Sequence, residues 1–187
     1  ADAPAPWPAT DQSMRYPIVL LEPQDERNRR AISYDMFSEP VRRDAMQRAA
    51  ASRRLAVTAP IRLVQEDSGA PQSGVLLYLP IFHDEGVAAI PGAGNGTVMG
   101  FVYAPVRVGD LVRRVLSTAP APDVTVAVLD AAEGGLPIVA SDAVPAGAMT
   151  VQVMVGAGDR QWQLAISETR PLGMLQDPGL YVLLLGL

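Results

Sequence analysis

His83 is the only histidine of the chain, and Asp84 and Glu85 follow it directly. Imidazole and carboxylate together suggest a metal site, but three consecutive residues cannot converge on one ion from a loop without ligands from elsewhere. A solvated loop with no metal is the simpler expectation. Gly92-Ala93-Gly94-Asn95-Gly96-Thr97 has the glycines of a phosphate cradle. It lacks both the GxGxxG spacing of a dinucleotide site and the Lys-Ser/Thr pair of a nucleotide loop, and reads as a flexible connection. Ser38, Ser141 and Ser167 have no GxSxG surroundings, and one histidine cannot act as base for all of them. Catalytic residues, metal and cofactors are all expected to be none.

Recognition chemistry is better represented. Arg42 and Arg43 lie where a helix is expected to begin, and the helix dipole disfavours cations there by about 0.3–1 kcal/mol. Either Glu39 or Asp44 offsets them on a solvated face, or one guanidinium points across a sheet and clamps a carboxylate or phosphate. Tyr78 interrupts the apolar run Val75-Leu76-Leu77-Tyr78-Leu79-Pro80 and shares a face with Leu76 and Pro80. A buried phenol needs a hydrogen-bond partner, which a ligand or a backbone carbonyl can supply; core packing accounts for Tyr78 taken alone.

The elements that must position these groups are short. Ile18 to Leu21 reads as a buried strand ended by Glu22-Pro23, and Gln24 to Arg30 as a turn or a solvated helix start. Ser38 is the expected N-cap of a helix running to about Ser52, with Glu39 and Pro40 in its first turn. Val41, Ala45, Ala49 and Ser52 would form its inner face, with Arg42, Met46 and Arg53 beside it. Val57 to Gln65 and Val75 to Phe82 read as strands joined by a hairpin-type loop, and Val98 to Val102 as the next strand. Asp110 should cap a short helix, Leu111 to Leu116. From about Pro122 a second, nearly helix-free unit follows. Its strands are Val124–Leu129, Leu136–Ala140, Met149–Val155 and Trp162–Ile166, with turns at Gly134-Gly135 and Gly156 to Asp159.

Composition agrees with an α/β fold that has a real core. The chain of 187 residues is 49% hydrophobic, enough to bury a core as one domain or two small ones. A net charge of −5 offers no basic face, which argues against nucleic acid as a partner. Cysteine is absent, which excludes disulfide and cysteine–zinc scaffolds. Ala1 to Thr10 has neither the basic start nor the apolar core of a signal peptide. Leu180 to Leu187 is unbroken apolar sequence, far shorter than the roughly 20 residues that span a bilayer. It reads as a terminal core strand or as the first turns of a transmembrane helix with Tyr181 near the interface.

Taken in order, several stretches resemble a CHASE domain, the extracytoplasmic sensor of membrane histidine kinases and diguanylate cyclases, whose plant members are the cytokinin receptors. They are Leu21-Glu22-Pro23, Asn28, Ser33-Tyr34-Asp35-Met36, Glu39-Pro40-Val41-Arg42-Arg43, Ala45, Arg48-Ala49 and Thr58 to Gln65. Leu76 to Phe82 and Gly100-Phe101-Val102-Tyr103-Ala104-Pro105 complete the set. No single motif is specific; their order and spacing are. The resemblance implies an α/β (α+β) fold of tandem PAS-like domains with antiparallel sheets, the long N-terminal helix of the family largely missing. Residues 1–15 would be an arm or the remnant of an upstream helical element. Residues 16–118 would be a membrane-distal ligand-binding domain, 119–172 a membrane-proximal domain, and 173–187 a juxtamembrane segment starting a transmembrane helix.

The resemblance also carries a pocket. Met36 matches a pocket methionine, Thr58 a threonine on which hormone response depends, and Val64 stands for a pocket leucine. Arg42 takes the place of the aspartate that binds the adenine ring, and Tyr78 that of a threonine bonding a ligand side group. A cation there removes the acceptor for purine N–H groups and adds donors, so a small anionic ligand replaces an adenine-type one, with Arg42 as clamp and Tyr78 as second donor. The implied protein is a non-enzymatic, dimeric sensor facing the periplasm from the inner membrane. Its rivals are a ligand-free dimerisation module, in which Arg42 is structural, and a small secreted hydrolase, which needs a serine, His83 and a carboxylate to converge.

Overall fold

The computed structural model describes residues 5–62, 73–83, 96–118, 124–139, 144 and 148–168. In chain order the elements are α1 (Glu26–Arg29), a 3-10 turn (Met36–Ser38), α2 (Pro40–Ser52), β1 (Ala56–Val57), β2 (Ile61–Arg62), β3 (Ser73–Phe82) and β4 (Val98–Val106). There follow α3 (Val108–Thr118), β5 (Val124–Asp130), a 3-10 turn (Ala131–Glu133), β6 (Leu136–Val139), β7 (Thr150–Ala157) and β8 (Arg160–Glu168). This is the mixed α/β fold with two antiparallel sheets that the sequence implied. Val64, Asp84, Glu85, Gly92–Asn95, Ser141 and Leu180–Leu187 lie outside the described residues.

Glu39, rather than Ser38, caps α2: its carboxylate accepts from the Val41 N–H at 3.1 Å and the Arg42 N–H at 2.9 Å. Pro40 at the first helical position has no N–H to satisfy, so these are the orphan donors within reach. Ser38 instead closes the preceding turn, donating its hydroxyl to the Asp35 carbonyl at 2.6 Å. The buried stripe of α2 is Arg42, Ala45, Met46 and Ala49, at i, i+3, i+4 and i+7. Val41 is only half-buried and Ser52 is exposed, so the inner face is rotated toward Arg42 relative to the expected one.

β3 is the centre of the first sheet. β4 runs antiparallel along one side of it, from Val75↔Val106 to Phe82↔Val98. β1 and β2 pair with it through Ala56↔Tyr78 and Ile61↔Gly74, so the single strand expected over Val57–Gln65 is broken in two. Pro60 has no N–H to give the ladder, and Thr58 covers the gap: its Oγ1 accepts the Leu76 N–H at 2.9 Å while its own N–H donates to the Leu76 carbonyl. The strand expected at Ile18–Leu21 is not one either. Instead Trp7 and Pro17 form isolated bridges to Tyr34 and Asp35, so residues 33–35 lie between two stretches of the N-terminal segment. α3 begins at Val108, which places Asp110 inside its first turn rather than at the cap.

The two faces of β3 belong to different cores. Leu76 and Tyr78 join Met36, Phe37, Ala45, Met46 and Ala49 beneath α2. Val75 and Leu77 join Val57, Val106 and Val108 with Val128 and Ile138 of the second sheet, whose order is β6-β5-β8-β7. At about 1.5–3 kcal/mol for each such side chain buried, both faces are needed to order β3. The β7–β8 turn, Gly158-Asp159, meets β1 closely. Gly158 sits at φ 62, and a Cβ there would lie 2.7 Å from Val57 Cγ2, so only glycine fits. Among the described residues no helix is long and apolar enough to cross a membrane.

Candidate ligand-binding site

Asp35 builds the approach to α2. It is fully buried, and its Oδ1 accepts the N–H groups of Tyr16 at 2.9 Å and Phe37 at 3.1 Å. This fixes the turn that aims Met36 inward, where it is 4% exposed. One turn further on, Arg42 is 3% exposed. Its guanidinium therefore faces the core and not the solvated surface that was the plainer expectation. Nη1 donates to Met36 Sδ at 3.3 Å, and Cζ lies 5.0 Å from the centre of the Tyr34 ring, a cation–π contact. Nε stands 3.8 Å from the capping carboxylate of Glu39, which offsets a cation placed against the helix dipole.

Across from Arg42 lies the α2-facing side of β3 and β4. Tyr78 is opposite Tyr103 in the ladder, with ring centroids 6.1 Å apart. Phe101 meets Tyr78 edge-on, and also Tyr16 at 5.0 Å. The hydroxyl oxygens of Tyr78 and Tyr103 are both buried, and among the described residues neither has a hydrogen-bond partner. Burial pushes Tyr103 up to about 12, with Arg42 pulling it down. Burial raises Tyr78 further still, again against the pull of Arg42, with Tyr103, Glu39 and Tyr34 adding to the rise. Both phenols thus sit within the field of one guanidinium. A buried hydroxyl without a partner costs about 1–3 kcal/mol, so two side by side mark a place where an acceptor belongs.

The structure brings Met36, Arg42 and Tyr78 together. Thr58 is fully buried beside Leu76 with its hydroxyl engaged by the β3 backbone, and Val64 lies outside the described residues. Sequence reasoning missed Tyr103, Tyr34 and the capping role of Glu39. Tyr103 was findable: extending the strand past Val102 puts Phe101, Tyr103 and Pro105 on one face, and the hairpin register then sets Tyr103 against Tyr78. Pro105 does not break the strand, because among the described residues β4 pairs with β3 alone, and a proline is tolerated at such an edge.

The hydrolase constellation is not assembled from the described residues. Ser38 is committed to the Asp35 carbonyl, and Ser167 on β8 shares a hydrogen bond with Thr150 at 2.9 Å. His83 is buried, at 7% exposure, rather than in a solvated loop. The irregularity between Ile81 and Phe82 carries the β3–β4 hairpin on to it, where its N–H donates to the Thr97 carbonyl at 2.9 Å. Among the described residues no group of three metal-ligating side chains comes together.

Comparison with known proteins follows the same lines. An extracellular ligand binding receptor from Desulfohalobium retbaense superposes with a TM-score of 0.51 at 14% identity, covering 82% of this chain and 29% of that one. The ligand-binding domain of the Pseudomonas aeruginosa PAO1 amino acid chemoreceptor PctC, solved with GABA, gives 0.40 at 15% identity, covering 72% of this chain and 63% of that one. The chain therefore spans less than two thirds of either structure, and at such identity the first likeness is one of fold alone. No curated protein matches the sequence. The sequence pattern of the CHASE domain matches residues 2–139, a stretch that takes in α2, the whole of the first sheet and the β5–β6 hairpin of the second. The chain accordingly belongs to the CHASE domain family, the extracytoplasmic sensor domains.

Proposed function

We propose that this chain is the ligand-binding part of a transmembrane signalling receptor of the histidine kinase or diguanylate cyclase type, and that it recognises a small anionic molecule. The carrying observation is the inward guanidinium of Arg42, set beside two buried phenols that lack acceptors. Residues 16–118 act as the membrane-distal ligand-binding domain and 119–172 as the membrane-proximal one, leading through 173–187 toward a membrane helix. The receptor works as a homodimer in the inner membrane with this domain in the periplasm, and the enzymatic output belongs to another part of it. Met36 and Arg42 from the α2 side and Tyr78 from β3 contact the ligand, and Thr58 and Val64 complete the ligand-binding set. Binding moves the dimer only by its difference in affinity for two arrangements.

Thermal-shift screening against small metabolites of either charge tests this, with Arg42→Ala as control. An anionic hit at about a hundred times its Kd stabilises by about 2.7 kcal/mol. That is a rise of roughly 5–10 °C in Tm for a chain of this size, and it is lost in Arg42→Ala. Hits that all survive the substitution overturn the anion reading. One observation favours the rival, a ligand-free dimerisation module: Arg42 already rests against Met36 and Tyr34. That module yields no hit in the screen at all.

A further inference from the structure

We propose that Tyr103 is the second donor of the site, and that the cross-strand phenols of Tyr78 and Tyr103 grip the two oxygens of a small monocarboxylate whose charge rests against Arg42. The inference builds on the sensor reading above and narrows its ligand. Both hydroxyls are buried without a partner, on residues directly opposed in the β3–β4 ladder. Phenols serve as donors here, and an ionised carboxylate is an acceptor with two oxygens and no proton of its own. Both oxygens of the neighbouring Glu39 already take the N–H groups of Val41 and Arg42. A ligand rich in donors, such as a purine edge or an ammonium group, would meet donors.

Charge selects among acceptors. Among the described residues the cation acting on both phenols is Arg42. Glu39, 3.8 Å from Arg42 Nε, already sets part of that charge off, so a single negative charge is the most the guanidinium can hold. A phosphate group, at about −1.5 to −2, would leave charge uncompensated in a site walled by Phe101, Tyr16 and Met36.

Isothermal titration calorimetry of the domain with benzoate, propionate and pyruvate tests the proposal, with benzamide and propionamide as neutral isosteres. At least one carboxylate is expected to bind with Kd below about 1 mM, its amide at least about tenfold more weakly. Tyr103→Phe and Tyr78→Phe each weaken that binding about ten- to a hundredfold, the loss of a hydrogen bond to a charged group. Because each variant deletes a hydroxyl that has no partner, the ligand-free variants melt at or above wild type. Binding that tolerates Tyr103→Phe within about twofold overturns the proposal, as does a ligand-free Tyr103→Phe that melts lower. No binding by any of the three carboxylates at about 10 mM also overturns it. In that case inorganic phosphate, or another anion from the wider screen, that stabilises the wild type and not Arg42→Ala leaves the sensor reading standing.

Discussion

Arg42 and Arg160 are both buried, at 3% and 7% exposure, yet they meet different chemistry. Arg160 Nε lies 2.7 Å from Oδ2 of Asp130, a carboxylate with no exposure whose Oδ1 also holds the Ala132 N–H at 3.1 Å. That pair belongs to the second sheet, where Asp130 ends β5 and Arg160 starts β8. Arg42 rests on a thioether and an aromatic face, with the Glu39 carboxylate at 3.8 Å and about a third exposed, 34%. A guanidinium matched to its own buried carboxylate is part of the architecture. On the reading proposed above, one resting on soft, polarisable groups beside buried phenols serves a ligand instead.

The comparison breaks first under substitution. Asp130→Ala leaves a buried cation uncompensated and should lower unfolding free energy by about 3–5 kcal/mol. Arg42→Met keeps much of the side chain's length and lets the partly exposed Glu39 carboxylate rehydrate; its cost should be about 1 kcal/mol. Urea unfolding of both variants decides the matter. If Arg42→Met is as damaging as Asp130→Ala, Arg42 is a structural arginine and the contrast disappears.

How much of this was legible in the sequence follows from the range of each interaction. Binary patterning located β3 and the strands of the second sheet, because alternation is local. It placed α2 correctly but rotated its face, since the rule that puts arginine outside cannot see the Tyr34 ring and Met36 sulfur that receive Arg42. The N-cap slipped by one residue because a glutamate capping from Glu39 is less usual than the Ser38 it displaced. His83 looked solvated because its neighbours Asp84 and Glu85 are charged, whereas the hairpin that buries it is set by register with Thr97. Tyr103 was hidden by Pro105, and the bridges of Trp7 and Pro17 to residues 34 and 35 left no periodic trace at all. What escaped was tertiary or depended on strand register, and the site consists largely of such contacts.

The two regions also differ in how they answer to pH. An ordinary phenol ionises near 10, and burial holds Tyr103 up to about 12 and Tyr78 beyond it. Above pH 10 the unfolded chain gives up protons that the folded chain keeps, so these groups' contribution is complete below pH 10 and is lost as pH climbs toward 12. Arg42 pulls both phenols down, so Arg42→Met should delay their ionisation further, as followed by tyrosinate absorbance. Changing the Asp130–Arg160 pair should leave the phenols where they are. Equal titration in wild type and Arg42→Met would separate Arg42 from the phenols and dissolve the site.

A third arginine–carboxylate contact sharpens the comparison at its weak end. Arg48 on α2 forms an ion pair with Asp159 in the β7–β8 turn, also binds Asp44 at 3.0 Å, and donates to the Val57 carbonyl at 2.9 Å. Asp159 Oδ1 accepts the Val57 N–H at 2.7 Å. The helix that carries Arg42 is thereby tied to the second sheet, on the route a ligand-induced shift of α2 would take. Both side chains are about a third exposed, 33% and 29%, so charge should matter little here. Asp159→Asn keeps an acceptor for Val57 and should cost less than about 1 kcal/mol, a difference that shrinks with added salt. Asp159→Ala strands the N–H of the buried Val57 and should cost more, about 1–3 kcal/mol. If the two variants are equally unstable, the charge and not the hydrogen bond holds the sheets together. Arg48 would then stand with Arg160 as an arginine of the framework, leaving Arg42 as the one arranged for a ligand.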